Sequence, residues 1–268
     1  MKVFAFAILL LVARGTGALA GTLIETEARG LGSDPSPTRR GVVQLEPDRM
    51  RLDVPELSSA IIYRGDLDLV WIVDHRDRSF VPIDRATMDE LSRRMAEAKA
   101  ELRARLAAMS PELRAVMERM LGKTAEPGAE EGAEISVRET GRRERLNDVG
   151  CAEVELRRGE ETIAMACTAD WESAGVEPES FRPIQELGSF LHQTLSVLPV
   201  FPDDSIRPGE LDALDAIGRL DGVPLRIRIF EAGAPFREIR VTSIEPKSFG
   251  GEIFEIPAGY QQAAVPFP

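Results

Sequence analysis

The chain has 268 residues, of which 43% are hydrophobic and 29% charged, and its formal net charge is −12. This composition is typical of a globular protein, and an all-β barrel of this length commonly forms a single domain. The acidic balance, without a basic cluster on a periodic face, argues against nucleic acid as a partner and gives no support for attachment to anionic lipid headgroups.

Residues 1–20 have the pattern of a secretory signal peptide. Lys2 supplies a positive charge, residues 3–12 form an apolar run, and Ala18-Leu19-Ala20 fits the small-x-small cleavage rule. The run is shorter than the roughly 20 residues that a membrane-spanning helix needs, so an uncleaved anchor is the weaker alternative. We therefore expect cleavage after Ala20, export to the periplasm or the extracellular medium, and no transmembrane span in the mature chain.

Strand-like alternation begins at Gly21 and continues to about residue 84. Val, Ile, Trp and Phe residues lie between turns that we predict at Glu46-Pro47-Asp48, Arg64-Gly65-Asp66 and His75-Arg76-Asp77. Short, evenly spaced strands with such turns are typical of an antiparallel meander. The sequence therefore predicts a curved sheet or barrel in this part of the chain.

A helical insertion is predicted over about residues 86–122, because apolar residues there recur at steps of three and four. Thr87 and Glu90 form a capping-box pattern at its start, and residues 123–132 have the composition of a linker. The apolar stripe has two interpretations, core packing against the sheet or the adaptable wall of a ligand cavity. Its members are Met88, Leu91, Met95, Ala98, Leu102, Leu106 and Met109.

Two cysteines, Cys151 and Cys167, belong to the arms of a predicted hairpin with a turn at Arg158-Gly159-Glu160. An even cysteine count in an exported protein favours a disulfide. If the loop has three residues, Cys151 lies directly opposite Cys167, whereas a two-residue turn breaks that pairing. A metal-binding pair and two free thiols are the alternatives.

Helical spacing returns after the cysteine hairpin, and a further short helix is predicted at 210–217. Three strand patterns finish the chain, and the last of them is "EIFEIP", residues 252–257. A type I turn fits residues 256–259, with Pro at its second position and Gly at its fourth. We expect this last strand to complete a curved wall, with Tyr260 directed back across the end of the sheet.

The sequence contains no recognisable catalytic or metal-binding pattern. The two histidines, His75 and His192, do not have a metal-ligand spacing, and no G-x-S-x-G motif presents a nucleophilic serine. His75 is predicted to be a solvated turn residue and Trp71 a buried strand residue. We therefore predict no catalytic residue, no metal and no cofactor.

Five short segments, "FEIPAGY", "DGVPL", "DRMRLD", "SFVPID" and "MSPELRAVMERML", resemble an uncharacterised family of exported bacterial proteins, domain of unknown function 4412. The resemblance implies the fold of the periplasmic lipoprotein carriers of the LolA and LolB type, an incomplete antiparallel barrel whose concave face is covered by helices. It carries over no catalytic residues. The long Arg/Glu-rich helix and the lack of a lipid-anchoring Cys are departures from those carriers.

These patterns together predict an α+β fold, a curved antiparallel sheet or incomplete β-barrel covered by helices, in one domain over residues 21–268. The expected function is non-enzymatic binding of a hydrophobic ligand, such as an acyl chain, in the concave face of the half-barrel. The alternative is an envelope protein-interaction or sensor module that uses the long charged helix. The residues expected to line the cavity are Trp71, Met88, Leu91, Met95, Leu102, Leu106 and Met109.

Overall fold

Twelve strands form one sheet within the part of the chain that the computed structural model describes. The described residues are 21–32, 36–84, separate positions between 86 and 109, 135–195 and 208–263, with only the backbone for 191–195 and 208–212. The strands are β1 (Gly21–Gly30), β2 (Arg39–Glu46), β3 (Arg49–Val54), β4 (Ser59–Arg64), β5 (Leu69–Asp74), β6 (Ser79–Asp84), β7 (Ile135–Leu146), β8 (Val149–Arg158), β9 (Glu161–Ala169), β10 (Val223–Glu231), β11 (Ala234–Lys247) and β12 (Gln261–Gln262).

The sheet is open, curved and almost entirely antiparallel, as the sequence predicts. Its strand order is β12-β6-β5-β4-β3-β2-β1-β11-β10-β9-β8-β7, so that β12 and β7 lie at the two edges. Among the described strands, β12 and β6 form the one parallel pair. Strands β2 to β6 therefore lie on one side of β1 and strands β7 to β11 on the other side, and we call these the β2–β6 half and the β7–β11 half.

Strands β2 to β6 form the predicted meander, in which each strand pairs with the next without a register shift. Short 3-10 turns at Pro55–Leu57 and Gly65–Leu67 connect β3 to β4 and β4 to β5. Each turn ends on a left-handed residue, Ser58 and Asp68. The connections at 47–48, 65–68 and 75–78 confirm the predicted turns.

Two helices pack on one face of the sheet, which we call the helix face. Helix α2 (Pro178–Leu195) contacts β2 and β3, and α3 (Pro208–Ile217) contacts β9 and β10. Helix α3 confirms the predicted short helix. The two helices approach closely at Gly188, where a Cβ atom would lie 2.6 Å from the Leu214 carbonyl oxygen.

Two further helical stretches are present. Helix α1 (Trp171–Ala174) follows β9 and is capped by Asp170, whose carboxylate accepts a hydrogen bond from the Ser173 amide. The described positions between 86 and 106 are helical, and we call them the charged helical segment. Residues 110–122 of the predicted insertion and the linker 123–132 lie outside the described residues. No helix in the described part of the chain is long and apolar enough to cross a membrane.

The predicted disulfide between Cys151 and Cys167 is confirmed, with a Cα–Cα distance of 5.3 Å. The predicted register is wrong, because the turn between β8 and β9 has two residues and Cys167 lies opposite Glu153. A bulge adds one residue to β9, since Leu156 pairs with Ala164 but Arg157 with Thr162. The bond therefore joins diagonal neighbours on the same face of the hairpin, a separation that a disulfide spans.

The C-terminal segment, residues 250–263, is not the predicted closing strand. It forms a 3-10 helix at Gly251–Phe254 and crosses the face opposite the helices, and only Gln261–Gln262 pairs with β6. The ring of Phe254 is fully buried in a cluster on that face, and removing so much apolar surface from water favours the turn over an edge strand. We call residues 250–263 the strap.

The turn within the strap is displaced by one residue from the predicted one. The Tyr260 amide donates to the Pro257 carbonyl at 3.3 Å, and Gly259 has a φ of +83°. A positive φ at the third position is the mark of a type II turn and requires glycine there. Tyr260 is nevertheless directed back over the sheet, as the sequence predicts.

Candidate functional site

Two rows of apolar side chains run across the helix face of the meander. Residues two apart along a strand share a face, so the strand register defines each row. The inner row consists of Leu45, Met50, Tyr63, Val70 and Ile83. The outer row consists of Val43, Leu52, Ile61, Ile72 and Val81.

Helix α2 packs over the part of the inner row that lies on β2, β3 and β4. Every member of the inner row is buried, and Phe181 and Leu187 of α2 belong to the same apolar cluster. The Tyr63 hydroxyl also donates a hydrogen bond of 3.0 Å to the Glu186 carboxylate on α2. The helix is therefore held over the sheet by apolar burial and by one polar link.

The outer row is less covered than the inner row. Ile72 is 42% exposed, and its neighbours in the row are half-buried. Large apolar side chains in the middle of a sheet face are normally buried, and contiguous exposed apolar surface marks a binding site. In the described part of the chain, the outer row is thus an apolar strip that lies alongside α2.

A cleft of about 490 Å³ opens between α2 and the β4–β5 turn. Burial raises the pKa of the Tyr63 hydroxyl well above its usual value, and the hydrogen bond to Glu186 and its charge add to the effect. The hydroxyl therefore remains protonated at physiological pH and acts as a hydrogen-bond donor. The lining residues are Tyr63, Gly65, Asp68, Gln185, Glu186, Ser189 and Phe190.

Three of the residues predicted to line a cavity are described, and none of these three lines this cleft. Trp71 packs beside Phe254 on the opposite face, because its position in β5 alternates with that of Ile72. Leu106 and Met109 are half-buried at the end of the charged helical segment. The other members of the predicted lining, Met88, Leu91, Met95 and Leu102, lie outside the described residues.

His75 lies in the β5–β6 turn, as the sequence predicts, but its side chain is only partly exposed to solvent. Its side chain is 29% exposed, and its Nδ1 atom lies 2.8 Å from the Tyr260 hydroxyl. The two rings meet edge to face, and Nε2 lies 3.8 Å from the Asp53 carboxylate. The strap reaches the turn that carries His75, a contact between residues 185 positions apart that the local turn pattern does not contain.

His192 lies within α2, where the backbone alone is described. Among the described residues, no three His, Cys, Asp or Glu side chains come together as a metal-ion site.

Buried charges occupy the opposite face where the sheet passes from β1 to β10. The Glu238 side chain is 2% exposed and receives hydrogen bonds from Arg29 at 2.6 Å and Arg228 at 2.7 Å. Burial alone would raise the pKa of Glu238, but the two guanidinium groups outweigh burial and hold that pKa below its ordinary value. The Glu238 carboxylate in β11 therefore links three strands, because it binds Arg29 in β1 and Arg228 in β10.

A second buried ion pair lies near the disulfide. The Arg226 side chain is 7% exposed and donates two hydrogen bonds, of 2.6 and 2.7 Å, to Glu144. The guanidinium lowers the pKa of Glu144. The alternation of Arg226 and Arg228 with isoleucines in β10 places both arginines on one face, but an arginine on a sheet face is ordinarily solvated, so the sequence contains no sign of the burial.

No protein-family model matches the chain, and no curated protein matches it. Among solved structures, an uncharacterized conserved protein from Thermus thermophilus is 8% identical over 92% of this chain and 91% of its own, with a TM-score of 0.45. A LolA superfamily protein from Nitrosomonas europaea is 8% identical over 89% and 91%, with a TM-score of 0.32. PNGF-II is 9% identical over 91% of this chain but 30% of its own, with a TM-score of 0.38. Likenesses of this size carry no inference about ligand, reaction or compartment.

Proposed function

We propose that the protein is exported to the periplasm, has a lipoprotein-carrier-like half-barrel and binds a hydrophobic ligand, such as an acyl chain, on the helix face of its sheet. The observation that supports this most directly is the outer row, an apolar strip beside α2 in which Ile72 is 42% exposed. A linear hydrocarbon chain can lie across five strands at that position and exclude water from the strip. Its methylenes each contribute about 0.8 kcal/mol when buried.

The proposal is tested with a fluorescent long-chain fatty acid and protein purified without detergent. Ile72→Lys places a charge where the chain would lie, so we expect at least a tenfold loss of affinity because a charge beside hydrocarbon is unfavourable. Val137→Lys is the matched control, since Val137 is also a strand residue and is 44% exposed. Equal effects of the two substitutions, or no binding by the unaltered protein, would contradict the proposal.

The proposed export has its own measurement. N-terminal sequencing of protein recovered from the periplasm of an expressing cell should begin at Gly21, since cleavage is expected after Ala20. Recovery of the intact N-terminus in the cytoplasm would contradict export.

We also propose that the protein is not an enzyme. In the cleft, the Tyr63 hydroxyl donates to Glu186 and its pKa is raised, so this hydroxyl is neither a nucleophile nor a base at neutral pH. Turnover of an ester, peptide or phosphoester substrate that disappears in Tyr63→Phe would overturn this part of the proposal.

A second candidate function uses the charged helical segment as a surface for a protein partner. Ion pairs run along it at helical spacing, from Arg93 to Glu90 and Glu97 and from Arg105 to Glu101. These side chains are exposed, and ion pairs on a solvated helix surface add little stability, so the charges are available to a partner. Deleting residues 86–122 distinguishes the two functions. The deletion removes partner binding and leaves the sheet folded if this segment is a docking surface, and causes aggregation if the insertion covers a ligand-binding face.

A further inference from the structure

Strand β7 forms one edge of the sheet, and among the described residues it pairs with β8 alone. From Ser136 to Glu139 each side chain is exposed, on both faces of the strand. An edge strand presents unpaired backbone N–H and C=O groups, which can pair with a strand from another chain. The position and exposure of β7 therefore make it the part of this sheet that a further strand can reach.

The charge of this edge is opposite to that of the whole chain. Four exposed arginines lie within eight residues of β7, in a protein of net charge −12. One of its two glutamates, Glu144, is already paired with Arg226 inside the sheet. Among the described residues, neither Arg138 nor Arg143 has an ion-pair partner. The four arginines are Arg138, Arg142, Arg143 and Arg145.

The register places positive charge on both sides of the edge. Arg143 lies opposite Ala152, whose position in β8 shares the helix face with buried Val154. Arg138 lies opposite Glu155, whose side chain points to the other face. A strand laid along β7 directs its side chains alternately to both faces, so acidic side chains on either face would meet a guanidinium.

We propose that β7 is a docking edge for an extended acidic segment of a partner protein, which is added to the sheet as a further strand. Backbone pairing supplies affinity, and the arginines select the charge of the partner. A second copy of this chain is a poorer occupant. Antiparallel pairing of β7 with itself sets Arg138 opposite Arg142 or Arg143 in two registers, and in the register centred on Gly141 it sets Arg138 opposite Glu144, which Arg226 already binds. Charged residues and a bulge, here between Glu139 and Arg143, normally prevent edge-to-edge association. The guanidinium groups repel basic strands but attract acidic ones, so the edge remains able to pair with an acidic strand.

The test uses fluorescence anisotropy with the full mature chain and three labelled octapeptides of alternating sequence. The probe is Glu-Val repeated, and the controls are Lys-Val repeated and Glu-Pro repeated, which has the same charge but cannot pair as a strand. We expect binding of the Glu-Val peptide alone, with an affinity that falls as salt is raised from about 50 to about 300 mM because the arginines are exposed.

Substitution of arginines in β7 then tests whether the peptide binds at this edge. The double variant Arg138→Glu/Arg143→Glu should weaken binding of the Glu-Val peptide at least tenfold. Arg76→Glu/Arg78→Glu is the matched control, since both residues are exposed on the β5–β6 turn, far from β7 in the strand order, and this variant should bind as the unaltered protein does. If the Glu-Pro peptide bound as tightly as the Glu-Val peptide, charge alone would explain the interaction, and the proposal of strand addition would be wrong. No binding of the Glu-Val peptide, or equal loss in the two double variants, would overturn the docking edge itself.

Discussion

Every strand pair from β2 to β6 keeps one register along its whole length, whereas every pair from β7 to β11 contains a register shift. A continuous register lets each strand present one complete set of alternate residues to each face. The meander can therefore align two apolar rows on one face, the inner row buried with α2 and the outer row beside it, and bury Phe254 of the strap on the other face.

Register shifts give the β7–β11 half a different means of stabilisation. A bulge increases the local twist and redirects the side chains around it. In this half the strands are joined by specific cross-strand bonds: the disulfide, the Arg226–Glu144 pair and the contacts of Glu238 with Arg29 and Arg228. Both halves bury apolar side chains, and the β7–β11 half, here called the bulged half, adds directional cross-strand bonds to that burial. The predictions below test that difference.

The largest effect is expected from Phe254→Ala in the strap. The ring is fully buried against Ala60, Ile62 and Val73, and removing a buried phenylalanine ring costs about 3–5 kcal/mol of unfolding free energy. Guanidinium chloride denaturation measures the loss. Leu67→Ala is the control, because that side chain is 53% exposed in the β4–β5 turn and should change stability by less than about 0.5 kcal/mol. A loss below about 1 kcal/mol for Phe254→Ala would mean that the strap adds little to the meander.

The next effect is expected from Cys151→Ser/Cys167→Ser in the bulged half. The bond closes a loop with a sequence separation of 16, for which the loss of the cross-link costs about 3 kcal/mol. Reduction of the unaltered protein should give a similar loss in the same denaturation experiment. Hydrogen exchange should then accelerate in β8 and β9 before it does in β2 to β6. Uniform acceleration over both halves would contradict the separation of their stabilising contacts.

A smaller and pH-dependent effect is expected from Glu238→Gln. Removing the buried charge leaves Arg29 and Arg228 without their shared partner and costs about 1–3 kcal/mol at neutral pH. The folded-state pKa of Glu238 lies below the unfolded value of about 4.3, so the carboxylate stabilises the fold above that value. This stabilisation is lost as the pH falls through the folded-state pKa.

The difference in unfolding free energy between the unaltered protein and Glu238→Gln should therefore shrink as the pH falls below about 4. Glu27→Gln, which alters an exposed carboxylate on the same face of β1, is the matched control. A difference that is constant from about pH 7 to about pH 3 would show that the charge of Glu238 is not what stabilises this part of the sheet.

The same comparison explains which features could be predicted from the sequence. Counting alternate residues locates the turns of the meander correctly because nothing interrupts its register. Counting fails for Cys151 and Cys167, because the β8–β9 turn has two residues and not the predicted three, and the extra residue of β9 at Ile163 shifts the register by one more position. A bulge depends on the packing of both faces of a strand, which a single sequence does not contain.

The candidate site was predictable only in part, for a related reason. Its outer row consists of aliphatic residues at alternate positions, and the sequence therefore contains the row. Which face the helices cover is decided by tertiary contacts such as Tyr63 with Glu186, 123 positions apart. The buried state of Glu238 likewise depends on Arg29, 209 positions away. The pattern "EIFEIP" is compatible with a strand, but burial of Phe254 favours the 3-10 helix that the segment forms.

The smallest effect is expected at a turn of the bulged half, and it is a gain. Ala232 and Gly233 join β10 to β11 with φ of +50° and +76°, the pattern of a type I′ turn. Alanine is unfavourable in the left-handed region, where Asn is preferred, so Ala232→Asn should add about 0.5 kcal/mol and raise the Tm by roughly 1–2 °C.

The hairpin between β7 and β8 already has the favoured residue at the equivalent position, Asn147 with a φ of +49°. Ala232→Val is the matched control, since a β-branched residue at positive φ should lower the Tm. If Asn and Val shift the Tm in the same direction, the local backbone of this hairpin does not limit the stability of the bulged half. The directional bonds between its strands would then be its main constraint, and the disulfide variant would be the stricter test of the comparison.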